Sequence, residues 1–150
     1  MKMITEVRRL QRRCKSVGNE EGYNIGKKLL RELSLHKDGV GLAANQVGIN
    51  KRVCVINVSK PIVLINPEII EASGRVIYEE ACLSLPGQVV NTERYRNITV
   101  VASNYREPLY FGGEDMLECV CVQHEIDHLN GKTMLDRRTK RNDIMGSAYL

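Results

Sequence analysis

The stretch Glu114-Asp115-Met116-Leu117-Glu118-Cys119-Val120-Cys121-Val122-Gln123-His124-Glu125-Ile126-Asp127-His128-Leu129-Asn130-Gly131 decides how the chain is read. Its acidic start suits the positive end of a helix, and Asn130-Gly131 is a natural C-terminal stop. On that helix Leu117, Val120 and Cys121 share a face with His124 and His128, so both imidazoles point toward a core or a cleft. His124-Glu125-Ile126-Asp127-His128 matches the H-E-x-x-H pattern. Positions four apart stack on one face of a helix, so two imidazoles can grip one ion. Glu125 sits about 100° around the axis from His124, placed to act on a water without itself becoming a ligand.

A catalytic zinc-like ion normally takes three protein ligands and keeps one position open. The third must come from outside the helix. Downstream, Asp136 and Asp143 are the obvious carboxylates; upstream, Glu80-Ala81-Cys82-Leu83-Ser84-Leu85-Pro86-Gly87 offers a cysteine just after an expected strand, among turn-forming residues. His36, the remaining histidine, reads as a helix-end residue.

Working outward, residues 52 to about 111 carry β-branched runs, Val53–Val58, Ile62–Ile65 and Ile98–Val101, broken by Pro, Gly, Asn and Ser. Connections this short leave no room for crossover helices, which favours antiparallel pairing. Before them, Gly39-Val40-Gly41-Leu42-Ala43-Ala44 reads as a tight loop. Two short helices are expected to open the fold, one from the spacing of Ile4, Val7, Leu10 and Cys14, the other from Ile25, Leu29 and Leu33, with Ser16–Gly22 as a polar connector. The expected fold is α+β, with mostly antiparallel strands around a central C-terminal helix that carries the metal motif, in one domain over residues 1–150.

Composition agrees. A 150-residue chain that is 43% hydrophobic and 27% charged can bury a proper core without staples. No apolar run is long enough to cross a bilayer, and the first residues lack the h-region of a secretory signal. A cytosolic location is expected. The five cysteines, Cys14, Cys54, Cys82, Cys119 and Cys121, form an odd set with no evident disulfide framework. Basic residues gather at the two ends, Arg8, Arg9, Arg12, Arg13 and Lys15, then Arg137, Arg138, Lys140 and Arg141, within a net charge of +4. They read mainly as solvated faces, with contact to ribosomal RNA as the sharper alternative.

Three segments, in order, resemble the peptide deformylases. Gly39-Val40-Gly41-Leu42-Ala43-Ala44-Asn45-Gln46 is similar to that family's G-x-G-x-A-A-x-Q, residues 80–84 to its E-G-C-L-S, and residues 124–128 to its H-E-x-x-H. The resemblance implies that Cys82, as thiolate, His124 and His128 hold one divalent ion. Ferrous iron is the expected occupant, with zinc, nickel or cobalt able to take its place. It implies that Glu125 is the general base toward water, and that Gln46 and the Leu83 N–H meet the oxyanion. The implied activity is hydrolysis of the formyl group from formyl-methionyl nascent peptides, releasing formate.

Val40, Gly41, Tyr78, Leu117, Val120 and Cys121 are the expected substrate-binding wall, an apolar slot suited to an unbranched methionine side chain. Glu80, Arg94 and Asp127 are expected to form a supporting network for the ligands. The sequence departs from the family pattern at Ala81, where glycine is usual. It also lacks the proline-containing entry, and its tail after residue 135 is short, as in compact deformylases of phage origin. No oligomer is required. Two rival readings are a small zinc endopeptidase that takes a tail carboxylate as third ligand, and an inactive metal-bound adaptor that docks on RNA through the basic ends.

Overall fold

The computed structural model describes residues 1–150. It is α+β: two α-helices, α1 (Asn19–Leu33) and α2 (Met116–Leu129), and nine strands in three three-stranded sheets. The first sheet holds β1 (Gly41–Ala43), β2 (Val53–Asn57) and β3 (Pro61–Ile65) in that order. The second has the order β4 (Glu68–Ser73), β7 (Asn97–Val101), β8 (Leu109–Gly112), and the third β6 (Leu85–Arg94), β5 (Val76–Cys82), β9 (Gly146–Tyr149). Every pair is antiparallel except β5–β9, which is parallel.

Helix α2 lies where the sheets converge, packed on β1, β2, β8 and β9, and every residue from Cys119 to Leu129 is buried. A helix apolar or satisfied all round belongs in a core, so its polar side chains must find partners inside the protein. Its ends agree with the sequence signals. The Asp115 side chain accepts from the Glu118 N–H at 3.3 Å, and Gly131, at φ 79°, takes the left-handed position that closes a helix. The main apolar cluster surrounds α2 and includes Ile56, Leu64, Ile98, Val120, Ile126 and Leu129.

Helix α1 seals a second cluster against the outer side of the first sheet, with Ile25, Leu29 and Leu33 facing Val53, Val55 and Ile65. A Cβ on Gly26 would stand 2.6 Å from Val63 Cγ1, so the helix sits closer to β3 than a side chain would permit.

Three expectations change. The N-terminal segment is not a helix: only a 3-10 turn at Val7–Leu10 forms, after which Arg13 and Lys15 make isolated bridges to Asn130 and Lys51. The turn buries Leu10 and the irregular backbone after it buries Cys14, as effectively as a helix would. The supposed connector Ser16–Gly22 contributes its second half to α1, which begins at Asn19. Gly39–Ala44 is not all loop, since Gly41–Ala43 pairs with Ile56–Cys54.

Candidate metal centre

Three elements bring one cluster together. The last turns of α2 supply His124 and His128, and Cys82 closes strand β5 at a register shift in its pairing with β6. A short 3-10 turn after β1 supplies Gln46. Cys82 Sγ lies 3.5 Å from His128 Nε2, His128 Nε2 lies 3.1 Å from His124 Nε2, and all three ligand atoms fall within 4.8 Å of one another. Tetrahedral coordination at ordinary metal–sulfur and metal–nitrogen lengths would separate such atoms by about 3.3–3.6 Å. All three residues are buried. Burial, reinforced by the neighbouring His124 charge, holds His128 well below the ordinary imidazole range, which favours the neutral form that binds a metal.

The Glu125 carboxylate also fits a site of this kind: both of its oxygens are buried without a hydrogen-bond partner, an arrangement that costs free energy unless another group completes it. Burial pushes the Glu125 carboxyl up to about 7, with the His124 charge opposing it. Gly41 makes room there: a Cβ on it would stand 2.6 Å from Glu125 Oε2 and 2.7 Å from Cys121 Sγ. The donor set of one thiolate and two imidazoles, with a carboxylate alongside, can hold a divalent ion such as iron or zinc.

Behind the ligands is a continuous charged network. His124 Nδ1 and Glu80 Oε1 are 2.9 Å apart, which leaves Nε2 for the ion. Arg94 donates to both oxygens of Glu80, at 2.7 and 2.8 Å, and to Asp127 at 2.6 Å. Thr92 Oγ1 also donates to Glu80. Burial would raise the Glu80 carboxyl, but Arg94 and His124 hold it below the usual range. The sequence reading anticipated Glu80, Arg94 and Asp127; it missed Thr92 and Arg137, whose guanidinium grips Asp127 at 2.9 and 3.0 Å. Arg137 belonged to a basic run, and nothing in its local pattern marks it as paired.

Gln46 is fully buried. Its Oε1 accepts from the Ala43 N–H at 2.9 Å, and its Nε2 donates to Ser84 Oγ at 3.1 Å, 3.7 Å from Cys82 Sγ. The amide is therefore oriented, with its N–H groups toward Ser84 and the sulfur of Cys82. Ala81 is strand backbone without positive φ, so a methyl group in place of hydrogen imposes no conformational strain. Cys119 turns instead toward the carbonyls of Tyr95 and Arg96.

A groove of about 430 Å³ opens beside Cys82, lined among others by Gly39, Leu83, Leu85, Pro86 and the tail residues Tyr149 and Leu150. Of the expected wall, Gly41 and Cys121 adjoin Glu125, and Val40 is tied to Cys121 through its carbonyl at 3.6 Å. Tyr78, Val120 and Cys121 lie in the main apolar cluster, with Val40 and Leu117 packed against it. Tyr78 is 6% exposed, with its hydroxyl under Gly146. The tail escaped the sequence reading; the apolar Ala148-Tyr149-Leu150 after a polar run was the available signal.

Comparison with known proteins points one way. The family model described as polypeptide deformylase matches residues 1–143. The peptide deformylase of Pseudoalteromonas translucida is 42% identical over 109 residues, 70% of this chain and 65% of that protein. That of Hamiltonella defensa is 43% identical over 109 residues, 70% of this chain and 64% of its own length. The chain thus spans somewhat under two thirds of these relatives. Among solved structures, Plasmodium falciparum peptide deformylase superposes with a TM-score of 0.83 at 29% identity, covering 93% of this chain and 87% of that one. A probable peptide deformylase from Synechococcus phage S-SSM7 gives 0.80 at 32% identity, covering 91% and 98%. With the matched region running through Gly41, Gln46, Cys82, His124, Glu125 and His128, this chain belongs to the polypeptide deformylase family.

Proposed function

We propose that this chain hydrolyses the formyl group from the amino end of formyl-methionyl peptides, releasing formate. The observation that carries the reading is Glu125, a carboxyl group buried without a partner next to a cysteine sulfur and two imidazoles that converge within 4.8 Å. A divalent ion held by Cys82, His124 and His128, ferrous iron being our choice and zinc, nickel or cobalt its substitutes, would supply a Lewis acid and lower the pKa of water toward neutrality.

Glu125 accepts a proton from water as the water oxygen bonds to the formyl carbon. The oxyanion then draws on donors fixed beforehand, the Gln46 Nε2–H and the Leu83 N–H. As the C–N bond breaks, Glu125 returns the proton to the departing nitrogen, leaving formate and a free α-amine. The methionine side chain is assigned to the wall of Val40, Gly41, Tyr78, Leu117, Val120 and Cys121. Action on nascent chains implies a cytosolic place of work. A ribosome contact would fall to exposed Arg9, Arg12 and Lys140, since Arg8 is engaged by Glu6, Arg137 by Asp127 and Arg141 by Asp143. No helix is long and apolar enough to cross a membrane.

The endopeptidase reading needs a tail carboxylate on the ion, yet Asp136 caps the Thr133 N–H and Asp143 pairs with Arg141. Protein purified without oxygen, its metal content measured, should release formate from formyl-Met-Ala and stop when a chelator is added. Metal-loaded protein that releases none overturns the proposal; peptide cleavage without formate would favour the endopeptidase, and function surviving Glu125→Ala the adaptor.

A further inference from the structure

Strand β9 stands in a place the metal site needs. On one side it pairs in parallel with β5, Tyr78 to Gly146 through Ala81 to Tyr149. On the other, the Val40 N–H donates to the Tyr149 carbonyl at 3.1 Å. The segment thus bridges two sheets that are otherwise separate at this point. Its end reaches the site itself: Leu150 N–H donates to the Ala81 carbonyl at 2.9 Å, and the Leu83 N–H donates to the Leu150 carbonyl at 2.8 Å. Leu150 is 1% exposed and belongs to the same apolar cluster as Tyr78, Val120 and Cys121.

We infer that residues 146–150 form an internal strap that lies along the substrate groove, takes up its backbone hydrogen bonds and must lift away before a peptide can bind. This rests on the deformylase reading, which gives the Leu83 N–H to the oxyanion and the apolar wall to the substrate side chain. The strap takes the first, and its Leu150 side chain is buried in the apolar cluster that holds Tyr78, Val120 and Cys121 of the second. An extended peptide that adds to a sheet edge competes for the same backbone donors and acceptors as a strand already there. The polarity is also telling. A substrate must place its formylated amino end at Cys82 and lead away from it, antiparallel to β5, whereas the strap runs parallel to β5 and arrives at Cys82 from the opposite direction. It satisfies the groove's hydrogen bonds without presenting a formamide to Glu125.

The strap is built to release. Its strand, β9, is four residues long, Tyr149 is 60% exposed, and a single backbone hydrogen bond, from Val40, ties it to the first sheet. Short segments at a sheet edge open at lower cost than central strands. While the strap is seated, apparent substrate affinity falls by the fraction of molecules that are open.

The test compares the metal-loaded full chain with its Leu150→Asp variant, which puts a charge into the apolar end of the groove. KM and kcat are read from formate release with formyl-Met-Ala-Ser. Amide hydrogen exchange at Val40 and Leu83 is read without substrate. The expected result is a KM roughly tenfold lower with kcat unchanged, and faster exchange at both amides. Leu150→Ala, a milder change, should move both readouts in the same direction and serves where the aspartate prevents folding. A folded variant whose KM is unchanged or raised, or whose two amides exchange as slowly as before, overturns the strap and leaves β9 an ordinary edge strand. Faster exchange with no formate released by either protein keeps the strap and overturns the deformylase reading.

Discussion

His124 Nδ1 lies 2.9 Å from Glu80 Oε1, and this contact joins the candidate metal ligands to a wholly buried chain of charges. Glu80 is the hinge of that chain: it accepts from Arg94, which also holds Asp127. Removing Arg94 takes from Glu80 its only guanidinium partner, while Asp127 keeps Arg137. Arg94→Leu should therefore cost about 3–5 kcal/mol of stability, measured by urea unfolding. Glu80→Gln keeps shape and hydrogen bonding but drops the charge behind His124. It should fold, and should bind its ion about 10–100-fold more weakly in a chelator competition. Unchanged affinity would mean that Glu80 serves only the fold.

Cys82 and Cys121 are both buried thiols near α2, but only Cys82 lies within bonding geometry of the histidines. Cys82→Ser should lose its ion on dialysis, because a neutral hydroxyl replaces a soft thiolate. Cys121→Ser should keep a full equivalent. Metal analysis of the two dialysed variants separates a ligand from a packing cysteine, and equal retention would remove Cys82 from the site.

The Gly41 position tests the general base by sterics alone. A methyl group there would meet Glu125 Oε2 at 2.6 Å and Cys121 Sγ at 2.7 Å, so the carboxylate must move. Gly41→Ala should lower kcat at least tenfold at constant metal content, since catalytic groups tolerate little displacement. Gln46→Ala removes a prepositioned donor and should cost about 10²–10³ in kcat. Full activity in either variant would show that the reacting atoms lie elsewhere.

The convergence of Cys82, His124 and His128 was legible because its parts are chemically loud: paired histidines at one-turn spacing, a helix bounded by Asp115 and Gly131, a cysteine at a turn. Other parts were quiet for physical reasons. Ile4, Val7, Leu10 and Cys14 recur at helical spacing, yet the segment bridges to Asn130 and Lys51, because tertiary partners offered its backbone better hydrogen bonds than a short isolated helix could. Strand β1 is Gly-Leu-Ala, without a β-branched residue, and it forms because β2 supplies an edge. A strand was expected before Cys82, but not the burial of Glu80 in it, a charge where the strand pattern calls for an apolar side chain, neutralised by Arg94 fourteen positions on. Strand β9 pairs with β5 across 68 residues at Ser147 and Glu79, a partnership that no local pattern announces.

Stability of the outer cluster rests on how closely α1 approaches β3, and this can be changed without touching the site. A Cβ on Gly26 would stand 2.6 Å from Val63 Cγ1, and one on Gly22 would meet three side-chain atoms of Ile65 within 2.9 Å. Val63 is β-branched and stiff at χ1, and Ile65 is fully buried, so neither can turn aside cheaply. Overpacking of this kind costs about 1–3 kcal/mol, against a gain of about 0.5–1 kcal/mol from placing alanine in a helix. Gly26→Ala should therefore lower the urea midpoint despite its better helix propensity, while formate release per folded molecule stays constant. A higher midpoint would show that the helix can move outward freely, and that the close approach of α1 to the sheet contributes little.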